Sequence, residues 1–306
     1  MAERTYLQKL NERLADGIGR LPQDLRSRHA GFLRDRQNPD GGFSGREGGS
    51  DLYYTGFALR SLSVLDALTP EVCERAAGFL RHSLTQEASV VDFFSLLYAC
   101  FLVQLHGGPD VLTASSPDWP ERAAALLETF RTPDGGYAKT AGGTSGSTYH
   151  TFLVALTYQL LARPLPKPED AIRFIQARRR EDGGYVEIAP MRRSGTNPTA
   201  AAVGVLQVLG GLERTDEVIC FLAAMPSVEG GLRANARAPL ADLLSTFTAA
   251  WTLDQLHALD RIDTAAALRY AEALALPGGG FRGGLWDDGT DVEYTFYGLA
   301  VVALLS

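Results

Sequence analysis

Residues 131–161 read RTPDGGYAKTAGGTSGSTYHTFLVALTYQLL, and this stretch contains the whole pattern that decides the fold. It opens with the turn Asp134–Tyr137, continues through the polar loop 138–147 and ends in a segment that is almost wholly apolar. Glycine adopts positive φ without the steric penalty of a Cβ atom, so a glycine pair is a natural place for a helix to end. A helix that is apolar on most sides is buried on most sides. The stretch therefore predicts a helix end, a loop and a buried helix.

The same turn recurs along the chain. A glycine pair followed by an aromatic or aliphatic residue occurs at 40–43, 134–137, 182–185, 229–232 and 278–281. The first glycines of these pairs stand at 41, 135, 183, 230 and 279, so the intervals are 94, 48, 47 and 49 residues. The first interval is twice the others, which predicts a sixth unit near residue 88, with a degenerate turn and a preserved helix in EASVVDFFSLLYACFL. A fixed period of this size is typical of a repeat architecture.

Each unit predicts two helices of different character. An amphipathic segment precedes the turn, as in ERAAALLETFR at 121–131, and an apolar segment follows the loop, as in YHTFLVALTYQLL at 149–161. The amphipathic helices suit an outer layer and the apolar helices an inner layer. The chain ends in VVALLS without a polar cap, which favours a closed ring over an open solenoid.

We therefore predict an all-α fold, an α/α toroid of about six helical hairpins of roughly 47 residues in two concentric layers. An N-terminal helical extension is expected at 1–22 and the toroid at 23–306.

The composition excludes several classes of protein. The chain has 306 residues, of which 45% are hydrophobic and 21% charged, which is an ordinary globular balance. Its formal net charge of -7 argues against a general nucleic-acid binder. The sequence contains neither a signal peptide nor an apolar run long enough to span a membrane, so we expect a cytoplasmic protein. Three widely spaced cysteines, Cys73, Cys100 and Cys220, predict buried thiols and no disulfide framework.

The starts of the six apolar segments align in columns. The first column contains only residue types that cap helix N-termini, so each is expected to accept a backbone hydrogen bond: Asp51, Asp92, Ser147, Asn197, Asp242 and Asp291. Two residues further on stand Tyr53, Phe94, Tyr149, Thr199, Leu244 and Glu293. Threonine recurs four residues on, at Thr55, Thr151, Thr246 and Thr295. Aromatic rings with polar tips suit the wall of a partly hydrated cavity, so the second column predicts the mouth of one.

In its repeated glycine turns and apolar inner helices, the chain resembles the β subunits of protein prenyltransferases over residues 23–306. The layout is similar to the Rab geranylgeranyltransferase type, and the wider superfamily includes the squalene and terpene cyclases. The resemblance implies that an isoprenoid diphosphate binds in the centre of the toroid. It also implies a helical protein partner comparable to an α subunit.

The resemblance further implies a zinc site, and this sequence departs from it. The family holds zinc through Asp-x-Cys at one inner helix and a histidine at the next. Here Asp242 is retained, Leu244 replaces the cysteine and Tyr294 replaces the histidine. A leucine cannot coordinate zinc, so zinc is doubtful. Asp291 and Glu293 lie close to Tyr294 in sequence, and a rebuilt oxygen site of Asp and Glu residues with Asp242 would prefer magnesium or calcium over zinc.

The other site residues follow from the same alignment. For the diphosphate, the loops before two inner helices supply guanidinium groups that match phosphate oxygens: Arg192, Arg193, Arg233 and Arg237. The expected wall of the isoprenoid cavity consists of Tyr53, Tyr54, Phe94, Tyr98, Tyr149 and Trp251. Asp242, Tyr294, Glu293 and His150 are the candidate catalytic residues.

Three functions are compatible with this reading. The first is a prenyltransferase-like protein that binds an isoprenoid diphosphate and transfers the prenyl group to an acceptor. The second is a toroid that binds lipid or serves as a scaffold without catalysis. The third is a terpene cyclase-like enzyme, which would need an acid flanked by carboxylates.

Overall fold

A computed structural model describes residues 4–84 and 89–306 of the chain. The six apolar segments form the helices α3 (Leu52–Val64), α5 (Val90–Leu105), α8 (Thr148–Leu160), α10 (Thr196–Leu209), α12 (Leu243–Gln255) and α14 (Val292–Leu305). The amphipathic segments form α2 (Gln23–Arg34), α4 (Pro70–Ser83), α7 (Trp119–Thr129), α9 (Pro168–Gln176), α11 (Thr215–Ala223) and α13 (Thr264–Leu274). The remaining helices are α1 (Tyr6–Arg20), the short α6 (Val111–Ser115) and a 3-10 turn at Leu259–Arg261.

These helices form two concentric layers. Each apolar helix packs against the next one along the chain, and α14 packs against α3, so the inner layer is a closed ring. The amphipathic helices lie outside it, each with one buried face. The predicted all-α toroid is confirmed. The sequence pattern succeeds here because the difference in hydrophobic periodicity between the two helix types directly reflects how many of their sides are buried.

Each glycine turn connects an outer helix to the following loop through close packing and a backbone hydrogen bond. In the turn at 134–137, Gly135 has φ of 90°, and a Cβ atom on Gly136 would lie 2.5 Å from the ring of Phe174 on the next outer helix. Tyr137 is fully buried, and its backbone N–H donates to Oγ1 of Thr151 at 3.0 Å. The same bond from the residue after the glycine pair to a threonine recurs at Thr55, Thr199, Thr246 and Thr295. The threonine column therefore fastens each loop to its inner helix.

Two members of the predicted capping column are wrong. Asp51, Ser147, Asp242 and Asp291 do cap their helices through side-chain oxygens. In the second unit Ser89 is the cap, and Asp92 bonds back to it. In the fourth unit the cap is Gly195, two residues before Asn197, so Thr199 occupies the threonine position. Pro198 stands at the third position of that helix, and Ser89 and Asp92 form a capping box in the second unit. Both features shift the first residue of the helix, and the pattern of apolar residues does not reveal such a shift.

Strand-like pairing in the loops is short. The sole two-stranded sheet among the described residues joins β1 (Phe281–Arg282) to β2 (Thr290–Asp291) in antiparallel register, with Phe281 opposite Asp291. The loops of three other units make single bridges in the same place. Each loop is thus a short hairpin that brings the chain back to the start of its inner helix. The degenerate turn expected near residue 88 lies partly outside the described residues.

The N-terminal helix closes one end of the ring. The backbone N–H of Tyr6 donates to Gln159 at 3.0 Å, and the guanidinium of Arg13 donates to the carbonyl of Leu304 at 2.8 Å. Both acceptors lie at the C-terminal ends of inner helices, so α1 crosses the face opposite to the loops. The expected boundary at residue 22 falls between α1 and α2. The division into extension and toroid stays a prediction.

The prediction of buried thiols holds for two of the three cysteines. Cys73 and Cys100 are buried, whereas Cys220 on the outer helix α11 is exposed. The error arises because α11 is short and unusually apolar, so its exposed face resembles a core segment in sequence. Within residues 4–84 and 89–306, no helix is long and apolar enough to cross a membrane.

Candidate functional site

The inner ring encloses a cavity of about 440 Å³. All six inner helices contribute to its wall, and Tyr6, Leu7 and Leu10 of α1 contribute from the closed end. The lining is predominantly apolar and aromatic, with a few polar groups such as Asn197 and Thr248. A concave, apolar pocket with few polar groups is the usual form of a small-molecule site.

The mouth of the cavity is formed by one residue from each inner helix. This residue stands two positions after the residue that caps or precedes the helix, and it points into the ring in five units: Tyr53, Val91, Tyr149, Asn197 and Leu244. In the sixth unit Glu293 takes the equivalent position and accepts a hydrogen bond of 2.6 Å from the hydroxyl of Tyr53. The predicted second column thus lies at the mouth, except that Val91 and Asn197 replace Phe94 and Thr199.

Aromatic rings build much of the wall. Phe57 meets Tyr53 edge to face at 4.9 Å between ring centroids and Tyr297 at 5.3 Å. Near the closed end, the indole N–H of Trp251 donates to the hydroxyl of Tyr6 at 2.8 Å. Burial raises the pKa of the Tyr6 phenol well above its usual range, so this hydroxyl is neutral. Such rigid rings hold the cavity open and give it flat apolar surfaces.

Five of the six residues expected in the isoprenoid cavity line it. Tyr53, Phe94, Tyr98, Tyr149 and Trp251 belong to its wall. Tyr54 does not line it, because its ring turns outward and lies where a side chain on Gly45 would be.

Sequence reasoning missed two charged residues of the wall, Arg60 and Glu187. Arg60 lines the cavity, with its guanidinium 4.1 Å from the ring centroid of Phe296 and 5.5 Å from that of Tyr98. Its Nε is buried without a hydrogen-bond partner. A positive group over aromatic faces is favourable. The sequence does contain an indication of the unusual role of Arg60, because this arginine interrupts an otherwise apolar inner helix in the segment ALRSL.

Glu293 is a partly buried carboxyl group in the first turn of α14. Burial raises its pKa, and the charge of Asp291 adds to this effect, while hydrogen bonds from Tyr53 and Tyr297 oppose it. A raised pKa favours the protonated form of a carboxyl group, which is the form a general acid needs. Glu293 is not part of the cavity lining, but it contacts that lining through its hydrogen bond with Tyr53.

The structure does not bring His150 into the cavity. His150 follows Tyr149 on α8 but is absent from the lining, and its Nδ1 is buried without a partner. Burial lowers the pKa of its imidazole, so the ring is neutral at pH 7. It therefore stands beside the mouth as a neutral base.

The residues at the family's metal position do not form a zinc site. Both carboxylate oxygens of Asp242 accept hydrogen bonds from Ser245, at 2.7 Å from its N–H and 2.9 Å from its hydroxyl. Leu244 belongs to the apolar wall. Tyr294 lies over the guanidinium of Arg46, and burial together with nearby carboxylates raises its pKa to about 12. The part of the chain that the structure describes contains no group of three or more His, Cys, Asp or Glu residues able to hold a metal ion.

None of the four arginines expected at the diphosphate lines the cavity. Arg192, Arg193 and Arg237 are exposed in the loops before α10 and α12. Arg233 instead donates to the carbonyls of Met225 and Ala224 at 3.1 Å each, at the C-terminal end of α11. Arginine is well suited to satisfying the last carbonyls of a helix. The sequence alone does not distinguish a loop arginine that caps a helix from one that binds a ligand.

Comparison with known proteins is consistent with this geometry. The sequence matches the family described as "Prenyltransferase alpha-alpha toroid domain" over residues 12–94, 77–238 and 212–306. The chain therefore belongs to the prenyltransferase α/α-toroid family. No curated protein matches the chain in sequence.

Solved structures share the fold at low sequence identity. The protein geranylgeranyltransferase-I of Candida albicans, complexed with GGPP, is 14% identical with a TM-score of 0.73 over 92% of this chain and 91% of that one. A variant of the type II terpene cyclase MstE from Scytonema, in complex with geranylgeranyl dihydroxybenzoate, is 15% identical with a TM-score of 0.61 over 98% of both chains. A protein from Actinoplanes is 16% identical with a TM-score of 0.61 over 92% of this chain and 98% of that one.

Proposed function

We propose that this protein binds an isoprenoid diphosphate, with the hydrocarbon chain in the aromatic cavity and the diphosphate at the mouth. The observation that carries the proposal is the cavity itself, about 440 Å³ in volume and lined mainly by apolar and aromatic side chains. Burial of apolar area is the main source of affinity for such a chain. Two neighbours of the same fold are described as bound to GGPP and to a geranylgeranyl compound, which supports this ligand class.

The polar end of the ligand would then lie among the starts of the inner helices. Asn197 and Thr248, joined by a hydrogen bond of 2.7 Å, offer polar atoms in the wall there. Arg193 and Arg237 remain our candidates for direct contact with the diphosphate, since their loops lead into α10 and α12. Guanidinium groups match phosphate oxygens in geometry and charge.

Transfer of the prenyl group is the reaction that this arrangement suits. The nucleophilic atom of an acceptor would bond to the first carbon of the chain while the bond from that carbon to the diphosphate oxygen breaks. His150 is the group near the mouth that could take up the acceptor's proton, because its imidazole is neutral. The proposal routes no step through a metal, because Leu244 and Tyr294 stand at two of the family's three ligand positions.

A cavity-filling substitution tests the binding proposal. Ala201 lines the cavity on α10, so Ala201→Phe should fill part of the space and weaken binding of geranylgeranyl diphosphate at least about tenfold, since one lost large apolar contact is worth about 1.5–3 kcal/mol. Native mass spectrometry gives the stoichiometry, and quenching of Trp251 fluorescence gives the affinity. Ala177→Phe, at an exposed alanine after α9, is the matched control. If the wild-type protein takes up no lipid, or if Ala201→Phe binds as tightly as wild type, the proposal is wrong.

Glu293 supports a second candidate, a terpene cyclase-like enzyme. Its raised pKa and its place beside Tyr53 give it the properties of an acid that could protonate an alkene. Incubation with geranylgeranyl diphosphate separates the candidates. Cyclic products that disappear in Glu293→Gln, with binding retained, would favour the cyclase. Binding without any product, with and without acceptor thiols, would favour the non-catalytic lipid-binding toroid.

A further inference from the structure

Five large apolar side chains are exposed on the loops that lead into the last three inner helices. Ile188 is 41% exposed, Met191 44%, Leu240 42%, Leu285 46% and Trp286 56%. We call the three loops that carry them, 186–195, 233–242 and 282–291, the exposed rim. Large apolar side chains grouped on one face of a protein, unlike scattered ones, usually mark a binding surface.

The three loops are neighbours in space as well as in sequence. The backbone N–H of Thr196 donates to the carbonyl of Ala234 at 2.9 Å, which joins the first loop to the second. The indole N–H of Trp286 donates to the carbonyl of Ala241 at 3.2 Å, which joins the third loop to the second. The three loops of the exposed rim therefore adjoin one another in sequence order.

This surface surrounds part of the mouth of the cavity. Each of the three loops ends where α10, α12 or α14 begins, and the starts of these helices form the mouth. Tyr149 connects the two regions, because it lines the cavity and is itself 37% exposed. Its backbone N–H donates to the side chain of Glu187, next to Ile188. A ligand that enters the cavity passes the exposed rim.

Exposed guanidinium groups lie close in sequence to these apolar side chains. Arg192 and Arg193 directly follow Met191, and Arg237 lies three residues before Leu240. Throughout residues 4–84 and 89–306, no carboxylate forms an ion pair with any of the three. The three loops together contain five arginines and five carboxylates, but the burial of these groups differs: Arg192, Arg193 and Arg237 are exposed, whereas Asp288 is the one exposed carboxylate of the rim.

From this combination we infer that the exposed rim docks on an anionic lipid bilayer, with the mouth of the cavity facing the membrane. Apolar and aromatic side chains enter the interfacial region, and arginines bind anionic headgroups, so the two residue types on the rim favour the same surface. The surface consists of loops, and the exposed guanidinium groups of Arg192, Arg193 and Arg237 complement a negative bilayer. The inference rests on the proposed function in one respect: a lipid ligand could then reach the cavity without crossing water.

Vesicle binding tests the inference on the full chain. We expect the protein to float with vesicles of phosphatidylcholine containing phosphatidylglycerol, to ignore pure phosphatidylcholine, and to be released by 0.5 M salt, because salt screens surface charge. Arg192→Ala, Arg193→Ala and Arg237→Ala together should lower partitioning about 100-fold, since each basic residue near an anionic surface contributes roughly a factor of five. Met191→Ser, Leu240→Ser and Trp286→Ser together should lower it at least about tenfold.

Matched controls separate this surface from general stickiness. Leu105 is 76% exposed, but it ends α5 on the opposite face of the ring, and Arg81 is exposed on the outer helix α4. Leu105→Ser and Arg81→Ala should bind vesicles like wild type. Circular dichroism and thermal melting check each variant, and Met191→Ser with Leu240→Ser serves if the substitution at Trp286 disturbs its bond to Ala241.

The outcomes distinguish this inference from the proposed function. Absence of binding to anionic vesicles, or binding that the rim variants leave intact, would overturn the membrane assignment. Dimers that disappear in the same variants, without vesicle binding, would overturn it in favour of a protein interface. Uptake of geranylgeranyl diphosphate by the apolar-rim variant in solution measures the cavity separately, so lipid uptake without vesicle binding removes the inference and leaves the proposed function standing.

Discussion

At the scale of single residues, the position of Leu244 governs which chemistry the cavity can support. Its side chain is part of the apolar wall, two residues after Asp242. The Asp242 carboxylate accepts two hydrogen bonds from Ser245, one from its N–H and one from its hydroxyl, and so caps α12. Burial raises the pKa of this carboxyl group. A helix cap of this kind contributes about 1 kcal/mol to stability and needs no ligand. Asp242, which the resemblance aligns with a zinc ligand of the family, therefore caps α12 in this structure.

Restoring the two replaced residues should create metal binding. Leu244→Cys with Tyr294→His would supply a thiolate and an imidazole near Asp242, which is three ligands with one open position. The negative charge of Asp242 already acts on the phenol of Tyr294, so the two positions are close. We expect about one zinc per chain after dialysis, measured by native mass spectrometry. Leu244→Ala with Tyr294→Phe is the control. No zinc in the first variant would mean that the residues do not correspond to the family's ligands.

The residues that face the cavity were partly predictable. The repeated pattern identified Tyr53, Tyr149 and Leu244, because caps such as Asp51 and Asp242 mark where their helices begin. It failed for Asn197, since Gly195 starts that helix without a side-chain cap. The contacts of arginines were not predictable either. Arg60 faces aromatic rings and Arg233 caps a helix, and only the tertiary fold separates these uses.

At the scale of elements, α1 determines the closed end of the cavity. It lies against α14, and the approach is closest at Gly17, where an added Cβ atom would be 1.9 Å from the carbonyl oxygen of Ala303. From this position its first turns present Tyr6, Leu7 and Leu10 to the cavity. The sequence predicted a helix at 1–22 but not that it belongs to the site, because its partners are distant in the chain.

Two glycines of α1 provide a matched pair of substitutions. Gly17→Ala should destabilise the fold by about 3 kcal/mol, because the methyl group cannot fit against the backbone of α14 and α1 has to move away. Gly19→Ala meets nothing within 4 Å and should be neutral or stabilise by up to about 1 kcal/mol through helix propensity. Urea unfolding measures both. Equal effects of the two substitutions would show that α1 does not pack tightly on α14.

At the scale of the whole molecule, stability depends on how the first unit meets the last. Arg46 of the first loop donates to Asp287 at 2.8 Å and to Asp291 at 2.9 Å, and both aspartates belong to the last loop. On the other side of the seam, Nδ1 of His29 accepts a hydrogen bond from the backbone N–H of Gly280 at 3.0 Å. Repetition in the sequence predicted that the ring closes. It could not predict these contacts, which join residues more than 240 positions apart.

The contact at His29 makes closure of the ring sensitive to acid. His29 is buried and stacks on Phe281 at 4.7 Å, and burial, aided by the charge of Arg28, lowers its pKa from 6.5 to about 4. Its Nδ1 accepts a bond only when neutral. Above pH 6.5 the imidazole is neutral in both the folded and unfolded chain, so its contribution is complete. As the pH falls from 6.5 towards 4, the unfolded chain binds a proton that the folded chain excludes, and stability decreases.

We therefore expect the wild-type protein to lose about 2–3 kcal/mol more than His29→Gln between pH 7 and pH 4.5, because one pKa unit corresponds to about 1.4 kcal/mol. Glutamine keeps an acceptor for the N–H of Gly280 and does not titrate. Urea unfolding at several pH values measures the difference, in which the carboxyl groups common to both proteins cancel. His257→Asn, at an exposed histidine, should follow the wild-type curve. A constant gap between wild type and His29→Gln over this range would mean that His29 takes up its proton while the ring stays closed.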